Sequence, residues 1–295
     1  MSLSLRYENL VCELKPEMGG CIAGLWRNGT AVLQSTPAAG QQSVRQAASY
    51  PLLPYSNRIA QAELLWQGQS HTLTKNWLPD PHSIHGVGWE RPWEVVSQHA
   101  AAAHIRYRHR ADASWPVDFE ALQSFTLEGS ADSGGLRLEM EFTNLAPHAV
   151  PAGLGWHPFF AKRKGMRVSF NATGRWENGP DQLPSHRLAS TGLDVPVDTL
   201  SVDHCFEAWT GRAQLTDPQL QIRITSSLRH LVVYTLPART DIAIEPVSHT
   251  NNAMGAWACE KPDAQALGVI ALEPGAKFSC TMRIDIQPTL TEHAA

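Results

Sequence analysis

The sequence lacks the long apolar runs and the positive charge that mark membrane and nucleic-acid-binding proteins. Its 295 residues contain no uninterrupted apolar stretch near the roughly 20 residues of a membrane span, and residues 1–7 do not resemble a signal peptide. Only 18% of the residues are charged, and the net charge of -4 opposes binding to nucleic acid or to an anionic membrane. We therefore expect a cytoplasmic protein that binds neither.

Cysteine is also scarce, and no two cysteines have the spacing of a metal site. The thiols are scattered without a C-x-x-C motif, at Cys12, Cys21, Cys205, Cys259 and Cys280. This pattern favours free, buried thiols over a structural zinc site or a disulfide framework. Phosphate-binding glycine loops, Gly-x-Ser-x-Gly elbows and H-E-x-x-H zinc motifs are absent from the sequence as well.

The sequence does have frequent period-two alternation of apolar and polar residues. Stretches 136–142, 220–224 and 278–286 carry apolar side chains at every second position, and 105–109 does so more weakly. Turn signals built on glycine and proline separate such stretches along the whole chain. The pattern predicts an all-β protein, a large antiparallel β-sandwich that forms a single domain over residues 1–295.

Three shorter stretches lead to local expectations. Residues 64–66 and 71–73 flank a Gln-Gly turn and predict a β-hairpin. Residues 171–199 carry prolines, glycines and polar residues without sustained alternation, so we expect a loop-rich segment there. Residues 251–267 are compatible with a short helix.

Two titratable side chains stand in apolar surroundings that can move their pKa values. His157 lies in the stretch Gly-Trp-His-Pro-Phe-Phe, and the proline after it favours an extended backbone at the histidine. Glu245 ends an apolar run and is followed by proline, where a strand leaves the sheet, so partial burial would raise its pKa. The alternatives are a core histidine bonded to backbone and a glutamate that caps a loop.

Four polar positions could complete a ligand site around these two groups. Asn57-Arg58 offers several hydrogen-bond donors and a permanent charge, although Arg58 could equally form a surface ion pair. His85 precedes Gly-x-Gly-Trp, whose glycines allow close backbone approach, and together with His82 it could suggest a metal site. Asp203 is expected to be a loop-borne carboxylate before an aromatic residue and is uninformative alone.

The order of these motifs is similar to that of the aldose 1-epimerase (galactose mutarotase) family over nearly the whole chain. Residues 16–29 resemble the opening hairpin of that family. Then follow, in the family's order, Asn57-Arg58-Ile59, His85-Gly86, His157-Pro158-Phe159-Phe160, Asp203 with Phe206, Glu245-Pro246 and Leu272-Glu273-Pro274-Gly275. Each motif is short, but their shared order makes the signal specific.

This resemblance implies a galactose mutarotase-like β-sandwich that acts on a monosaccharide and requires no cofactor and no metal. It implies that Glu245 is the general base and His157 the general acid of a reaction that opens and recloses a sugar ring. Asn57, Arg58 and His85 would hold sugar hydroxyls and the ring-oxygen side. Asp203 matches an acidic position that contacts the sugar.

Two departures from the galactose-type pattern leave the identity of the sugar open. Glu245 is followed by Pro-Val where the galactose enzymes have Thr-Gln, and the loop after His85 lacks their longer Gly-Gly-rich sequence. An anionic sugar is one alternative, with the Lys-Arg-Lys stretch 162–164 as a phosphate site or Arg58 as a contact for a sulfonate. The other alternative is a non-catalytic sugar-binding sandwich, which would not require both an acid and a base.

Overall fold

The computed structural model describes residues 2–130, 132–259 and 267–289, and within them the chain is almost entirely β-structure. The strands of the first half are β1 (Leu3–Tyr7), β2 (Leu10–Lys15), β3 (Cys21–Arg27), β4 (Thr30–Ala31), β5 (Pro51–Leu52), β6 (Arg58–Ile59), β7 (Glu63–Trp66), β8 (Gln69–Thr72), β9 (Ser83–Ile84), β10 (Glu94–Gln98), β11 (Ala102–His109), β12 (Phe119–Gly129) and β13 (Gly134–Asn144). Those of the second half are β14 (Val150–Ala152), β15 (Gly155–Trp156), β16 (Phe159–Ala161), β17 (Arg167–Phe170), β18 (Gly174–Asn178), β19 (Pro184–Ala189), β20 (Leu193–Pro196), β21 (Val202–Glu207), β22 (Arg212–Thr216), β23 (Leu220–Ser226), β24 (His230–Thr235), β25 (Asp241–Val247), β26 (Ile270–Leu272) and β27 (Lys277–Pro288). Short 3-10 turns lie at Ala38–Gly40, Val44–Gln46 and Ala60–Ala62, and a short α-helix, α1, lies at Ala256–Cys259.

The first large sheet contains the strands that alternation predicted. Its order is β10-β11-β12-β13-β27-β23-β22-β17-β20, and its neighbours are antiparallel. The predicted stretches 105–109, 136–142, 220–224 and 278–286 lie within β11, β13, β23 and β27. On β13 the side chains at even positions from 136 to 142 are buried, because successive residues of a strand point to opposite faces.

The second large sheet carries the strands that form the candidate site. Its order is β19-β18-β21-β24-β25-β15-β5, and β16 also pairs with β25. Ile242 and Ile244 of β25 lie in the main apolar cluster together with Phe125 and Phe142 of the first sheet. Val247, which lies on the opposite face of β25, belongs to a second, smaller cluster. The two sheets therefore form a β-sandwich, as the sequence predicts.

The predicted hairpin is confirmed. Strands β7 and β8 pair antiparallel around Gln67 and Gly68, whose φ angles are +48° and +78°. Positive φ at both central residues is typical of the turn whose twist matches a two-residue hairpin, which explains the Gln-Gly sequence.

The expectation of a loop-rich segment at 171–199 is wrong, because β18, β19 and β20 lie there. Strand β19 is an edge strand of the second sheet and is exposed at five of its six positions, so it shows no apolar alternation. The predicted helix at 251–267 is confirmed only at Ala256–Cys259, and residues 260–266 of that prediction lie outside the described residues.

Two further expectations concern cysteine and membrane spans. Cys12, Cys21, Cys205 and Cys280 are free and buried, as predicted, while the side chain of Cys259 lies outside the described set. Among the described residues, no helix has the length and apolar character needed to cross a bilayer.

Candidate active site

All six of the site residues predicted from the sequence line one cavity of about 350 Å³. They are brought there from five separate segments of the chain, which explains why only the order of the motifs linked them. The predicted members of the cavity wall are Asn57, Arg58, His85, His157, Asp203 and Glu245. The members not predicted are Arg45, Tyr50, Trp77, Ile84, Phe159, Gln182, Val232, Tyr234 and Arg239.

His157 and Glu245 face each other across neighbouring stretches of the second sheet. The antiparallel register pairs position 155 with 247 on one side and position 159 with 243 on the other. His157 and Glu245 lie midway between these pairs, so the register itself places them opposite each other. Their side chains approach to 3.2 Å between His157 Nε2 and Glu245 Oε1. Glu245 is internal to β25, which stays paired with β24 through Pro246 and Val247. The expectation that the strand leaves the sheet at Glu245 is therefore wrong, and so is the loop-capping alternative.

Burial governs the protonation of this pair, whose side chains are 9% and 3% exposed. Burial lowers the pKa of the His157 imidazole to about 3, and it raises the pKa of the Glu245 carboxyl well above its usual range. The charge of Asp203 raises the Glu245 pKa further. An imidazole beside a carboxylic acid and an imidazolium beside a carboxylate hold the same number of protons. One proton can therefore move across the contact without changing the charge of the site.

Aromatic rings fix the orientation of the His157 imidazole. Phe159 stacks on it at 4.3 Å between ring centroids, Tyr50 lies at 4.8 Å, and His85 meets it edge-on at 5.3 Å. The backbone N–H of His157 donates to the Tyr50 carbonyl at 3.0 Å. These contacts hold the imidazole in one position beside Glu245 and shield it from water.

His85 and Asn57 are held together by two backbone-directed hydrogen bonds. The Asn57 N–H donates to His85 Nδ1 at 3.1 Å, and the His85 N–H donates to the Asn57 carbonyl at 2.8 Å. Because Nδ1 accepts, the proton of the neutral imidazole is on Nε2, where it can be donated to a ligand. Burial lowers the pKa of His85 well below its usual range, and the charges of His157 and Arg58 add to this effect.

The glycine after His85 is required by the backbone at this point. Gly86 has a φ of +69°, and a Cβ built on it would lie 2.1 Å from the carbonyl oxygen of Leu53. Both the left-handed conformation and the close approach exclude a side chain. Gly86 thus allows the loop to place His85 in the cavity wall.

Arg58 and Asp203 form another part of the wall. Arg58 Nε donates to Asp80 Oδ2 at 2.9 Å, and one Nη donates to Gln182 Oε1. Arg58 does form an ion pair, as the alternative reading of the sequence supposed. This pair is not on the surface, however, because the Arg58 side chain is only 14% exposed and lines the cavity. Burial raises the pKa of Asp203, and the charge of Arg58 partly offsets that rise.

Two expectations about these acids and cations need correction. Asp203 lies within strand β21 and pairs with Tyr234 of β24, so it is not loop-borne. The basic stretch 162–164 does not line the cavity. Lys162 Nζ donates to the Leu236 carbonyl, and Arg163 Nε donates to Asp217 at 2.7 Å. This stretch therefore contributes no anion contact to the candidate site.

The two histidines considered for a metal are both used as acceptors of backbone N–H groups. His82 Nδ1 accepts from the Gln61 N–H at 3.0 Å, just as His85 Nδ1 accepts from Asn57. In the part of the chain that the structure describes, no three or more His, Cys, Asp or Glu side chains are arranged so that they could hold a metal ion.

Sequence reasoning missed the aromatic and cationic part of the wall. Tyr50, Trp77, Arg45 and Arg239 belong to no motif, and Arg45 and Trp77 lie in segments without regular alternation. No local signal in the sequence singles out Tyr50 either. Long-range packing assembles the remainder.

The chain shares its large antiparallel sandwich with solved galactose mutarotase-like structures. The chain belongs to the aldose 1-epimerase family, whose model matches residues 3–285. The family and the fold class predicted from the sequence are confirmed.

The chain is also similar to individual proteins. The uncharacterized protein YphB of Escherichia coli (strain K12) is 29% identical over 211 residues, which cover 69% of this chain and 69% of YphB. A crystal structure from Escherichia coli K12, described as a candidate aldose 1-epimerase (b2544), has a TM-score of 0.85 at 25% identity and covers 98% of this chain and 99% of its own. A galactose 1-epimerase from Lactobacillus acidophilus NCFM shares the fold, with a TM-score of 0.75, 13% identity and coverage of 98% and 95%.

Proposed function

We propose that this protein is a mutarotase that interconverts the α and β anomers of a free aldose, with Glu245 as general base and His157 as general acid. The observation that carries the proposal is the buried contact of 3.2 Å between His157 Nε2 and Glu245 Oε1 in the wall of a cavity of monosaccharide size. Members of the aldose 1-epimerase family are isomerases, which agrees with this chemistry.

The reaction requires two proton transfers, one at each of the two oxygens bonded to the anomeric carbon. The Glu245 carboxylate takes the proton of the anomeric hydroxyl while the His157 imidazolium protonates the ring oxygen, and the bond from C1 to the ring oxygen breaks. Rotation about C1–C2 presents the other face of the aldehyde. The transfers then run in reverse and close the ring as the opposite anomer.

The His157–Glu245 pair can reach the protonation state with which the reaction starts, an imidazolium beside a carboxylate. The direct contact allows the proton to pass from the carboxyl to the imidazole, and the number of protons in the pair does not change. A bound sugar would place its anomeric hydroxyl at Glu245 and its ring oxygen at His157, so the two groups would then act through the substrate. Each positioned acid or base contributes about 10²–10⁴-fold to the rate.

The sugar would be held in position beside the acid–base pair by Arg58, His85 and Asn57. Arg58 is fixed by Asp80, and His85 is fixed by the Asn57 backbone, so both are already positioned in the wall. Their N–H groups can also stabilise negative charge on the oxygen of the opening aldehyde. Asp203 would accept hydrogen bonds from hydroxyls.

Polarimetry tests this proposal against a non-catalytic sugar-binding sandwich. Freshly dissolved α-glucose and α-galactose should approach anomeric equilibrium faster with the protein than in buffer at the same pH. Sugar binding without any acceleration would identify a binder and would contradict the assigned acid and base roles.

A further inference from the structure

A hairpin loop at the edge of the second sheet reaches the mouth of the cavity. Strands β18 and β19 pair antiparallel, and residues 179–183 connect them. The loop is closed by its own backbone, because the Gly179 N–H donates to the Leu183 carbonyl at 2.8 Å and the Gln182 N–H donates to the Gly179 carbonyl at 2.9 Å. The loop therefore has a defined shape before any sugar binds.

His82 anchors this loop to the first half of the chain. His82 Nδ1 accepts from the Gln61 N–H at 3.0 Å, so Nε2 carries the ring proton. Nε2 lies 3.2 Å from the Asp181 carbonyl oxygen and can donate to it. The backbone N–H of His82 donates to Asp80 Oδ1 at 2.9 Å, and the other oxygen of Asp80 binds Arg58. The histidine that was considered as a metal ligand thus holds the loop beside Arg58.

The Gln182 side chain at the tip of the loop is oriented by Arg58. It is exposed to solvent and lines the cavity, and its Oε1 accepts from an Arg58 Nη. A guanidinium can only donate hydrogen bonds, so the amide oxygen must face it and the amide NH2 group points elsewhere. Among the described residues, no acceptor takes a hydrogen bond from this NH2 group. Two N–H donors therefore remain available at the cavity mouth.

A hydrogen-bond acceptor lies in the same part of the wall. Asn178, the last residue of β18 before the loop, donates from Nδ2 to the Asp203 carbonyl at 2.9 Å, so the loop starts next to Asp203. The carboxyl of Asp203 and the amide of Gln182 both line the cavity. A sugar hydroxyl both donates and accepts, so this part of the wall can satisfy ring hydroxyls in both ways.

We propose that Gln182 is a sugar-binding residue, whose amide N–H groups donate to a ring hydroxyl while its Oε1 orients Arg58. The proposal rests on the mutarotase function above and adds a residue that determines which hydroxyl pattern the site accepts. A bound sugar would cover the amide, and a missing hydroxyl would leave its N–H groups without an acceptor. Gln182 is not part of the acid–base pair, so it should affect binding more than the chemical step.

Gln182→Glu separates the two roles of the amide. The carboxylate keeps an oxygen for Arg58 but has no N–H to donate to a sugar. Binding is measured by NMR titration of anhydroglucitol, the glucose analogue that lacks the anomeric hydroxyl and cannot open its ring. We expect the Kd to rise about threefold to tenfold, as for the loss of one neutral hydrogen bond. An unchanged Kd, or a native protein that does not bind the analogue, would overturn the proposal.

Gln182→Ala tests the orientation of Arg58. This variant also removes the oxygen that Arg58 binds, so its Kd should be higher than that of Gln182→Glu, and equal values would contradict the orienting role. The matched control is Gln67→Ala, because Gln67 is also an exposed glutamine with positive φ (+48°, against +62° at Gln182) in a hairpin turn, but lies outside the cavity. The control should leave the Kd unchanged.

A panel of monodeoxy glucoses identifies the contacted hydroxyl. The sugars lack the hydroxyl of C2, C3, C4 or C6, and each is titrated against the native protein and Gln182→Glu. The effect of the substitution should disappear for the sugar without the contacted hydroxyl, because both partners of one hydrogen bond are then absent. An effect that persists unchanged for all four sugars would contradict the contact.

Anomer-exchange NMR separates this proposal from the catalytic one. With the mutarotase function correct, Gln182→Glu should raise KM and leave kcat within about twofold of the native value. A lower kcat at unchanged KM would contradict a binding role. If no sugar exchanges faster with the protein, the mutarotase function fails, and the Kd values of anhydroglucitol still decide whether Gln182 binds a sugar.

Discussion

His157 lies directly across from Glu245, although the strand segment that carries it is interrupted between β15 and β16. The interruption occurs at His157-Pro158, where the proline has no N–H to donate to a strand ladder. The His157 N–H donates to the Tyr50 carbonyl, on the side away from β25. The register on both sides of the break is nevertheless the same, so the imidazole reaches the carboxyl at 3.2 Å.

The first prediction concerns the pH dependence of kcat/KM. The active pair loses activity when it gains a second proton at low pH and when it loses its last shared proton at high pH. Burial lowers the pKa of His157 and raises that of Glu245, so we expect a broad bell that covers neutral pH.

Asp203→Asn tests the cause of the alkaline limb. Because the charge of Asp203 raises the pKa of Glu245, removing it should move the alkaline limb to lower pH. The control is Glu139→Gln, which removes an acid from an exposed pair with Arg137 on the first sheet and should leave the limb in place. An alkaline limb that does not move in Asp203→Asn would contradict this electrostatic coupling.

The second prediction concerns Asp80 as the residue that positions Arg58. Asp80→Asn removes the charged partner at 2.9 Å, so Arg58 should lose its fixed orientation in the cavity wall. We expect KM to rise about tenfold, with a smaller change in kcat, because a charged hydrogen bond contributes about 1.5–3 kcal/mol.

The exposed pair of Arg167 and Asp194 supplies the matched control for Asp80. Asp194→Asn breaks an ion pair of similar length, 2.8 Å, that lies on the surface and outside the cavity. Surface pairs contribute about 0–1 kcal/mol, so activity and stability should change little. A KM in Asp80→Asn no higher than in Asp194→Asn would show that Asp80 does not position Arg58.

The third prediction concerns Gly86, whose substitution should cost stability and activity together. In Gly86→Ala the Cβ would meet the Leu53 carbonyl oxygen at 2.1 Å in a left-handed backbone, so the loop carrying His85 must shift. We expect a loss of more than about 2 kcal/mol in the free energy of unfolding, together with reduced kcat/KM.

Gly29→Ala separates steric conflict from backbone conformation alone. Gly29 has a φ of +77°, but a Cβ there would meet no atom within 4 Å. Its substitution should cost about 1 kcal/mol and leave kcat/KM unchanged. Equal losses of unfolding free energy in the two variants, measured by urea denaturation, would contradict the role of the Leu53 contact.

Much of the fold could be predicted because its central strands bury one face and alternate in sequence. β13 and β27 show this pattern clearly, whereas β19 is exposed at five of six positions and gives no such signal.

The pairing of His157 with Glu245 was predicted from the resemblance, and the strand register explains it physically. Arg45 and Arg239 could not be predicted, because the fold alone brings them to the cavity. The basic stretch 162–164 shows the reverse, since it follows a site motif in sequence but contacts Leu236 and Asp217 instead.

The fourth prediction concerns His249, a buried histidine next to the segment that carries Asn57. His249 Nε2 accepts from the Ser56 N–H at 3.1 Å, and Nδ1 lies 2.8 Å from the Thr250 carbonyl oxygen, so the neutral ring satisfies both contacts. Burial lowers its pKa to about 4, below the 6.5 of an unperturbed histidine. The unfolded chain therefore binds more protons than the folded chain between these two values.

The sign of this difference means that acid destabilises the fold. The contribution of His249 to stability is present above pH 6.5 and is lost as pH falls toward 4, at up to about 1.4 kcal/mol per pH unit. Urea denaturation at several pH values gives the free energy of unfolding as a function of pH. This free energy should fall less steeply toward low pH in His249→Gln than in the native protein. An identical pH dependence of the unfolding free energy in the two proteins between pH 4 and 6.5 would contradict this contribution of His249.

The most direct test of the central claim is anomer-exchange NMR on the native protein, Glu245→Gln and His157→Asn, with matched thermal unfolding as the check on folding. We expect the native protein to accelerate exchange of its sugar and each variant to lose about 10²–10⁴-fold in kcat. The kcat of the double variant should be only slightly lower than that of the less active single variant, because the two groups act as one unit. A folded single variant that retains near-native exchange would contradict the acid–base pair.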